Sequence, residues 1–227
     1  MANMSPLKKF PDPETFRDIA LETGIDPAFI EKDWYAVQLI KAIAEINASS
    51  ETQAIFSGGT SLSKGYDLIK RFSEDLDFIV TTLEGQAHSQ GQRRSYRKNL
   101  LTDIQNSSTA FEIDESVVMR GDRYRFFKAP LTYPKTFEHN SLRPELQLEM
   151  TFEKPRLAPN QCQIQSIASQ ILKQDAETEI ACLSATKTAA NKLSALSWRV
   201  LVRQRDHEKD DPTMIRHLHD LAVLESV

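Results

Sequence analysis

Between Ile55 and Val80 the chain reads IFSGGTSLSKGYDLIKRFSEDLDFIV, and its reactive residue types gather there. Asp75 and Asp77 stand two apart in an alternating acidic and apolar string, so on a strand both carboxylates project from one face. Two acids so placed raise each other's pKa unless a cation sits between them. Mg²⁺ takes oxygen ligands, commonly one or two carboxylates plus substrate phosphates. The competing reading makes both acids solvent-facing residues of an amphipathic edge strand.

Upstream, Gly58 and Gly59 allow the backbone to approach a ligand, and a helix predicted to follow them offers free N–H groups and the positive end of its dipole. Ser57, Thr60 and Ser61 add hydroxyls. A turn of this kind leading to an Asp-x-Asp strand suits a nucleoside triphosphate, with the turn cradling phosphates and the acids holding metal. Arg71 and Ser73 precede the aspartates: Arg71 is a candidate phosphate contact, and Ser73 one for holding the turn, with a structural hydrogen bond the competing role. Tyr66, Phe72 and Phe78 read as core packing.

The elements that must position these residues follow from pattern. Pro13 can open a helix over Glu14 to Thr23 that Gly24 stops, and Asp26-Pro27 caps a longer one carrying Phe29, Trp34, Val37, Leu39, Ile40, Ile43 and Ile46. Both read as scaffold. A strand over Gln53 to Ser57 enters the glycine turn, a helix covers Thr60 to Ile69, and a second strand covers Asp75 to Thr81. A polar surface helix spans about Glu84 to Gln105. Phe111 to Met119 and Tyr124 to Tyr133 read as paired strands about a turn at Gly121-Asp122. Pro144 leads into a strand over Glu145 to Phe152, with Leu146, Leu148 and Met150 on one face and Glu145, Gln147 and Glu149 on the other. Gln161 to Cys182 reads as irregular, apart from a short helical stretch at Ile167 to Lys173 and a brief strand at Glu179 to Leu183. Ser184 caps a long helix through Lys192 to about Val202; a loop at Arg205 to Asp211 and a last helix from Pro212, carrying Arg216 and Asp220, complete the chain.

With 227 residues, 40% hydrophobic and 26% charged, the chain has the make-up of a soluble globular protein with room for a core. It lacks the apolar run of a membrane helix and the pattern of a signal peptide, so no membrane partner is expected. Cys162 and Cys182, outside any CxxC, suit reduced thiols and a cytoplasmic setting. A net charge of −4 argues against a general nucleic-acid coat. Two local basic clusters remain: Arg93, Arg94, Arg97 and Lys98, then Arg120, Arg123, Arg125 and Lys128. Each reads equally as a solvated face or as an RNA contact. His217 and His219 point in different directions on a helix, which argues against a shared metal.

The strings GGTSLSKGY at 58–66, RFSEDLDF at 71–78, RPEL and QLEM at 143–150, NKLSAL at 191–196 and RHLHDL at 216–221 resemble the AbiEii/AbiGii-type toxin nucleotidyltransferases, which include the MenT-like toxins. The resemblance implies an α/β (α+β) nucleotidyltransferase fold of the polymerase-beta type, a small mixed sheet flanked by helices with helical N- and C-terminal segments. It divides the chain into a core over 1–183 and a helical segment over 184–227 that completes the site. The spacer between glycines and aspartates is longer than in small polymerase-beta-type enzymes and fits the toxin family.

Carried over residue by residue, the resemblance implies metal binding by Asp75 and Asp77. The third carboxylate usual in that fold is best matched by Glu149, with Glu145 a same-face alternative and an exposed strand residue the plain reading. Lys192 matches the family's functional lysine, although it could also snorkel to solvent. As a point charge it would suit a triphosphate. Asp220 matches the late functional aspartate; it could orient Lys192, or merely satisfy a helix end or pair with Arg216. The implied reaction is Mg²⁺-dependent transfer of a nucleoside monophosphate from an NTP to RNA, such as a tRNA 3′ end, with a cognate antitoxin as protein partner. Two other readings stand: a protein or small-molecule acceptor, and a non-catalytic interaction protein that keeps the fold.

Overall fold

Two Asp-Pro pairs open the first two helices. In a computed structural model, which describes residues 10–107, 110–202 and 214–225, the Asp12 carboxylate accepts from Glu14 N at the start of helix α1 (Pro13–Thr23), and Gly24, at φ 73°, ends it. Asp26 accepts likewise from Ala28 N at the start of helix α2 (Pro27–Ala48). Such caps satisfy N–H groups that a helix leaves orphaned.

Helix α2 is buried around most of its circumference, including Glu31, Lys32 and Asp33. Charges are buried only when partnered, and each of these ties down a distant segment. Glu31 accepts from Thr136 N and Phe137 N at 2.8 and 3.0 Å. Lys32 Nζ donates to the carbonyl of Arg143 at 2.6 Å, and Asp33 accepts from Ile167 N at 2.7 Å and pairs with Lys64. The helix is scaffold, as expected, but its charged turn also fixes the loop that carries Arg143.

The sheet has seven strands in the order β3-β4-β5-β2-β1-β7-β6. These are β1 (Thr52–Ser57), β2 (Asp75–Thr82), β3 (Met119–Gly121), β4 (Phe126–Leu131), β5 (Leu146–Phe152), β6 (Asn160–Ile164) and β7 (Thr178–Cys182). It is mixed: β2 runs parallel to β5 and β1 to β7, while β1–β2, β3–β4, β4–β5 and β6–β7 are antiparallel. Phe56, Leu76, Phe78, Phe127, Leu148 and Met150 form the buried face with α2 and helix α4 (Gln90–Ser107). The opposite face of β2 and β5 carries the acids.

Several boundaries differ from expectation. Helix α3 (Gly58–Lys64) starts on the glycines and stops well short of Ile69, where Gly65 N caps it and Asp67 turns to φ 53°. Helix α4 begins only at Gln90, set by a reciprocal cap in which Ser89 N donates to the Gln92 side chain and Gln92 N to Ser89 Oγ. The expected strand from Phe111 is reduced to a bridge, Glu112 with Thr132, because Asp114 caps a 3₁₀ turn at Glu115–Val117. A second turn at Asp122–Tyr124 shortens the hairpin to β3 and β4. Strand β6 was not expected; its Cys162 and Ile164 are buried while Gln161 and Gln163 face out. Ser184 Oγ accepts from Lys187 N at the start of helix α6 (Ala185–Val202). Helix α5 spans Ile167–Ile171, and helix α7, spanning Ile215–Leu224, packs against α6. The expected loop at Arg205 to Asp211 and the helix start at Pro212 lie outside the described residues.

Candidate active site

Strand register alone lines up four polar side chains across the sheet. Ser57 pairs with Asp77, Asp77 with Glu149, and Glu149 with Lys128. Directly opposed residues share a face and lie within about 5.5 Å at their Cβ atoms. Register therefore selects Glu149 over Glu145, which falls outside β5. Asp75, one pleat repeat before Asp77, completes three carboxylates on one face.

The acids carry uneven loads. Arg143 Nη1 holds Asp75 Oδ1 at 2.6 Å and Lys128 Nζ holds Glu149 Oε1 at 2.5 Å. Asp77 stands between them, and its carboxyl is pushed up to about 7 by burial first, then by Glu149 and Asp75, with partial relief from Lys192 and Lys128. Such crowding is what a divalent cation relieves. The donor set is all oxygen and fits Mg²⁺. No group of three or more His, Cys, Asp or Glu among the described residues is placed to hold a metal ion by side chains alone. Mg²⁺ does not require one, since it usually keeps waters and shares its coordination with substrate phosphates.

The glycine pair is explained by close approach. Gly58 has φ 75°, and a Cβ there would lie 2.0 Å from Asp77 Oδ2. At Gly59 a Cβ would lie 2.7 Å from Arg71 Nη2 and 3.6 Å from Asp220 Oδ2. The turn is thus packed against the acid strand on one side and an ion-pair cluster on the other.

That cluster joins the last helices to the core. Asp220 is fully buried; it accepts from Arg71 Nε at 2.8 Å and Nη2 at 2.6 Å, and Lys192 Nζ lies 2.8 Å from its Oδ2. His219 Nδ1 is 3.4 Å away. Burial would raise the Asp220 carboxyl, but hydrogen bonds from Arg71 and Lys192 outweigh it and hold the group down at about 2. Lys192 therefore does not snorkel, and Asp220 pairs with Arg71 and Lys192 rather than Arg216.

A cavity of about 280 Å³ opens beside the acids, lined by Ser57, Gly58, Gly59, Asp77, Glu149 and Lys192, with Ile79, Leu183, Thr188 and His217 further along. Asp75, Asp220, Thr60, Ser73 and Arg71 do not line it. Thr60 donates its hydroxyl to the Asp75 carbonyl at 2.5 Å and so braces β2. Ser73 lines a small gap beside Lys32 and Glu74. Arg71 is committed to Asp220 and meets the site only through that pair. The aromatic expectations hold: Phe78 packs on Phe56 with ring centroids 5.2 Å apart, Phe72 on Phe29 at 4.9 Å, and Tyr66 OH donates to the Leu183 carbonyl.

Sequence reading missed Arg143 and Lys128 as partners of the acids, and Thr188 as a wall of the cavity. Arg143 opens the RPEL string and Lys128 was visible only as one basic residue among four. The basic clusters disperse: Arg97 and Arg120 pair with Glu115, Arg125 with Asp122, and Arg93 lines a separate cavity with His88 and Lys154.

A family model described as nucleotidyl transferase AbiEii toxin, type IV TA system, matches residues 41–226. The chain belongs to this AbiEii family. Among solved structures, MenT4, a nucleotidyltransferase toxin from Mycobacterium tuberculosis, is similar with a TM-score of 0.49 and 15% identity over 82% of this chain and 59% of that one. The AbiEii-family chain thus spans about three fifths of the length of that relative. No curated protein matches it. No helix among the described residues is long and apolar enough to cross a membrane.

Proposed function

We propose that this AbiEii-family chain transfers a nucleoside monophosphate from an NTP to a hydroxyl of an RNA acceptor, such as a tRNA 3′ end, in a Mg²⁺-dependent reaction. The observation that carries the reading is the opposition of Asp77 and Glu149 across β2 and β5, with Gly58 closed onto Asp77 and a cavity beside them reaching Lys192.

In this reading Asp75, Asp77 and Glu149 hold the metal, which when bound would stabilise the attacking and leaving oxygens. Ser57, Gly58 and Gly59 flank the phosphates, and Lys192, aimed by Asp220 and Arg71, neutralises charge on the leaving pyrophosphate. The acceptor oxygen bonds to the α-phosphorus as the bond to the bridging oxygen of pyrophosphate breaks. The acceptor's proton passes to a carboxylate of the cluster. Fixed charges that need no rearrangement account for most catalysis of this type. The acceptor approaches over β4, on the side of Lys128 and Arg143, because α6, α7 and the cavity occupy the other side of the acids. A cytoplasmic setting and a cognate antitoxin partner belong to the same reading.

Incubation with each α-labelled NTP, total RNA and Mg²⁺ tests it. Label is expected on RNA, with pyrophosphate released and both lost on chelation. Label on protein alone would replace RNA with a protein acceptor.

A further inference from the structure

The cavity beside the acids has a cluster of charges at one end and an apolar strip beside it, with Glu153, paired to Lys187, also on its lining. Asp77, Glu149 and Lys192 line its charged end. Two residues further along β2 and β5, about 7 Å at strand rise, stand Ile79 and Thr151; four residues earlier on α6, about 6 Å along the helix, stands Thr188. Residues four apart on a helix share a face, so Thr188 and Lys192 look into the same space. The floor there is apolar, since Ile79 and Leu183 are 5% and 1% exposed and form a small cluster with Ile55, apart from the main core.

Thr188 is the anomaly in that floor. It is 2% exposed, its backbone N–H is satisfied by the Ser184 carbonyl at 3.0 Å, and its hydroxyl has no hydrogen-bond partner among the described residues. A helical threonine can turn its hydroxyl to solvent or return it to the carbonyl a turn back; this one does neither. A buried unsatisfied hydroxyl costs stability that valine, of the same shape, would not.

We infer that Thr188 reads the nucleobase of the bound nucleotide, its hydroxyl bonding to a polar edge of a base that lies on Ile79 and Leu183. The inference rests on the reading of the cavity as a triphosphate site: phosphates at Lys192 and Gly58-Gly59 place the nucleoside toward Thr188. A site built around a hydrogen bond rejects a partner that lacks it, because its own group is then left unpaired. Thr188 is accordingly a selectivity determinant and not part of the bond-making machinery.

The test uses the full chain and a Thr188→Val variant, with affinities for ATP, GTP, CTP, UTP, the four corresponding deoxyribonucleoside triphosphates and inorganic tripolyphosphate measured by calorimetry in Mg²⁺, together with thermal melting. Wild type is expected to favour one base, and Thr188→Val to bind that NTP about 10-fold more weakly while tripolyphosphate affinity is unchanged. Without ligand the variant should melt at the same temperature or higher, and Thr188→Ser should keep the preference. Equal binding of all four NTPs by wild type and variant would overturn the inference, as would a loss confined to the choice between ribo- and deoxyribonucleotides. If neither protein binds tripolyphosphate or any NTP, the triphosphate reading itself fails, a result distinct from the loss of base selectivity.

Discussion

Asp77 and Glu149 occupy paired positions on two parallel strands, and the carboxyl of Asp77 is pushed up to about 7 by burial, Glu149 and Asp75. A carboxyl raised in the folded state binds its proton more tightly there than in the unfolded chain. The folded protein therefore loses stability as pH rises from the ordinary carboxylate range through about 7. Asp77→Asn removes that penalty. Without metal, the variant should melt about 2–8 °C above wild type at pH 8, a gain on the order of 1–2 kcal/mol after screening by water in the cavity. The difference should vanish near pH 4, as differential scanning calorimetry across that range would show. Mg²⁺ should raise the wild-type melting temperature and leave the variant's unchanged.

Asp220 acts in the opposite sense. Its carboxyl is held down at about 2, so its contribution is present above the ordinary carboxylate pKa and is lost as pH falls from there through about 2. Asp220→Asn leaves Arg71 and Lys192 facing each other without their shared anion. Breaking a buried pair costs about 3–5 kcal/mol. Denaturant unfolding should show a loss of that order, and NTP binding should weaken along with it because Lys192 is no longer aimed.

The two glycines should not tolerate alanine equally. Gly58→Ala places a Cβ 2.0 Å from Asp77 Oδ2 on backbone at φ 75°, whereas Gly59→Ala meets the far end of the Arg71 side chain at 2.7 Å, which can shift. Transfer activity should fall by roughly 100-fold or more in the first and several-fold less in the second, read as initial rates at saturating NTP.

Lys128 and Arg143 compete with any metal for Glu149 and Asp75. Lys128→Gln and Arg143→Gln should each tighten Mn²⁺ binding to the free protein, by about 3- to 10-fold for loss of one nearby positive charge. Unchanged Mn²⁺ affinity in both, by titration calorimetry, would show that these pairs do not guard the acids.

Much of this was legible in the sequence wherever the signal is local. Asp26-Pro27 announces its helix because cap and turn are adjacent, and Asp75 with Asp77 announce a shared face because strand periodicity is two. Long-range pairings were not legible. That Glu149 faces Asp77 depends on β2 and β5 being sheet neighbours although some 70 residues apart, a fact of topology that neither strand encodes alone. Arg143 reaches Asp75 from a loop held by Glu31 and Lys32, residues whose burial the helical pattern of α2 conceals. The hairpin from Phe111 failed because Asp114 offered the backbone a local turn. That the Thr60 hydroxyl bonds to the Asp75 carbonyl was likewise hidden, because it depends on how α3 packs on β2.

The account stands on the acids binding metal together with nucleotide in the cavity beneath Lys192. Mn²⁺ binding followed by electron paramagnetic resonance, with and without an NTP analogue that cannot be cleaved between its α- and β-phosphates, tests this directly. Wild type should bind Mn²⁺ more tightly when the analogue is present, Asp77→Asn should bind little in either condition, and Lys192→Gln should bind Mn²⁺ but lose the enhancement. Equal Mn²⁺ binding by wild type and Asp77→Asn, unaffected by nucleotide, would contradict it.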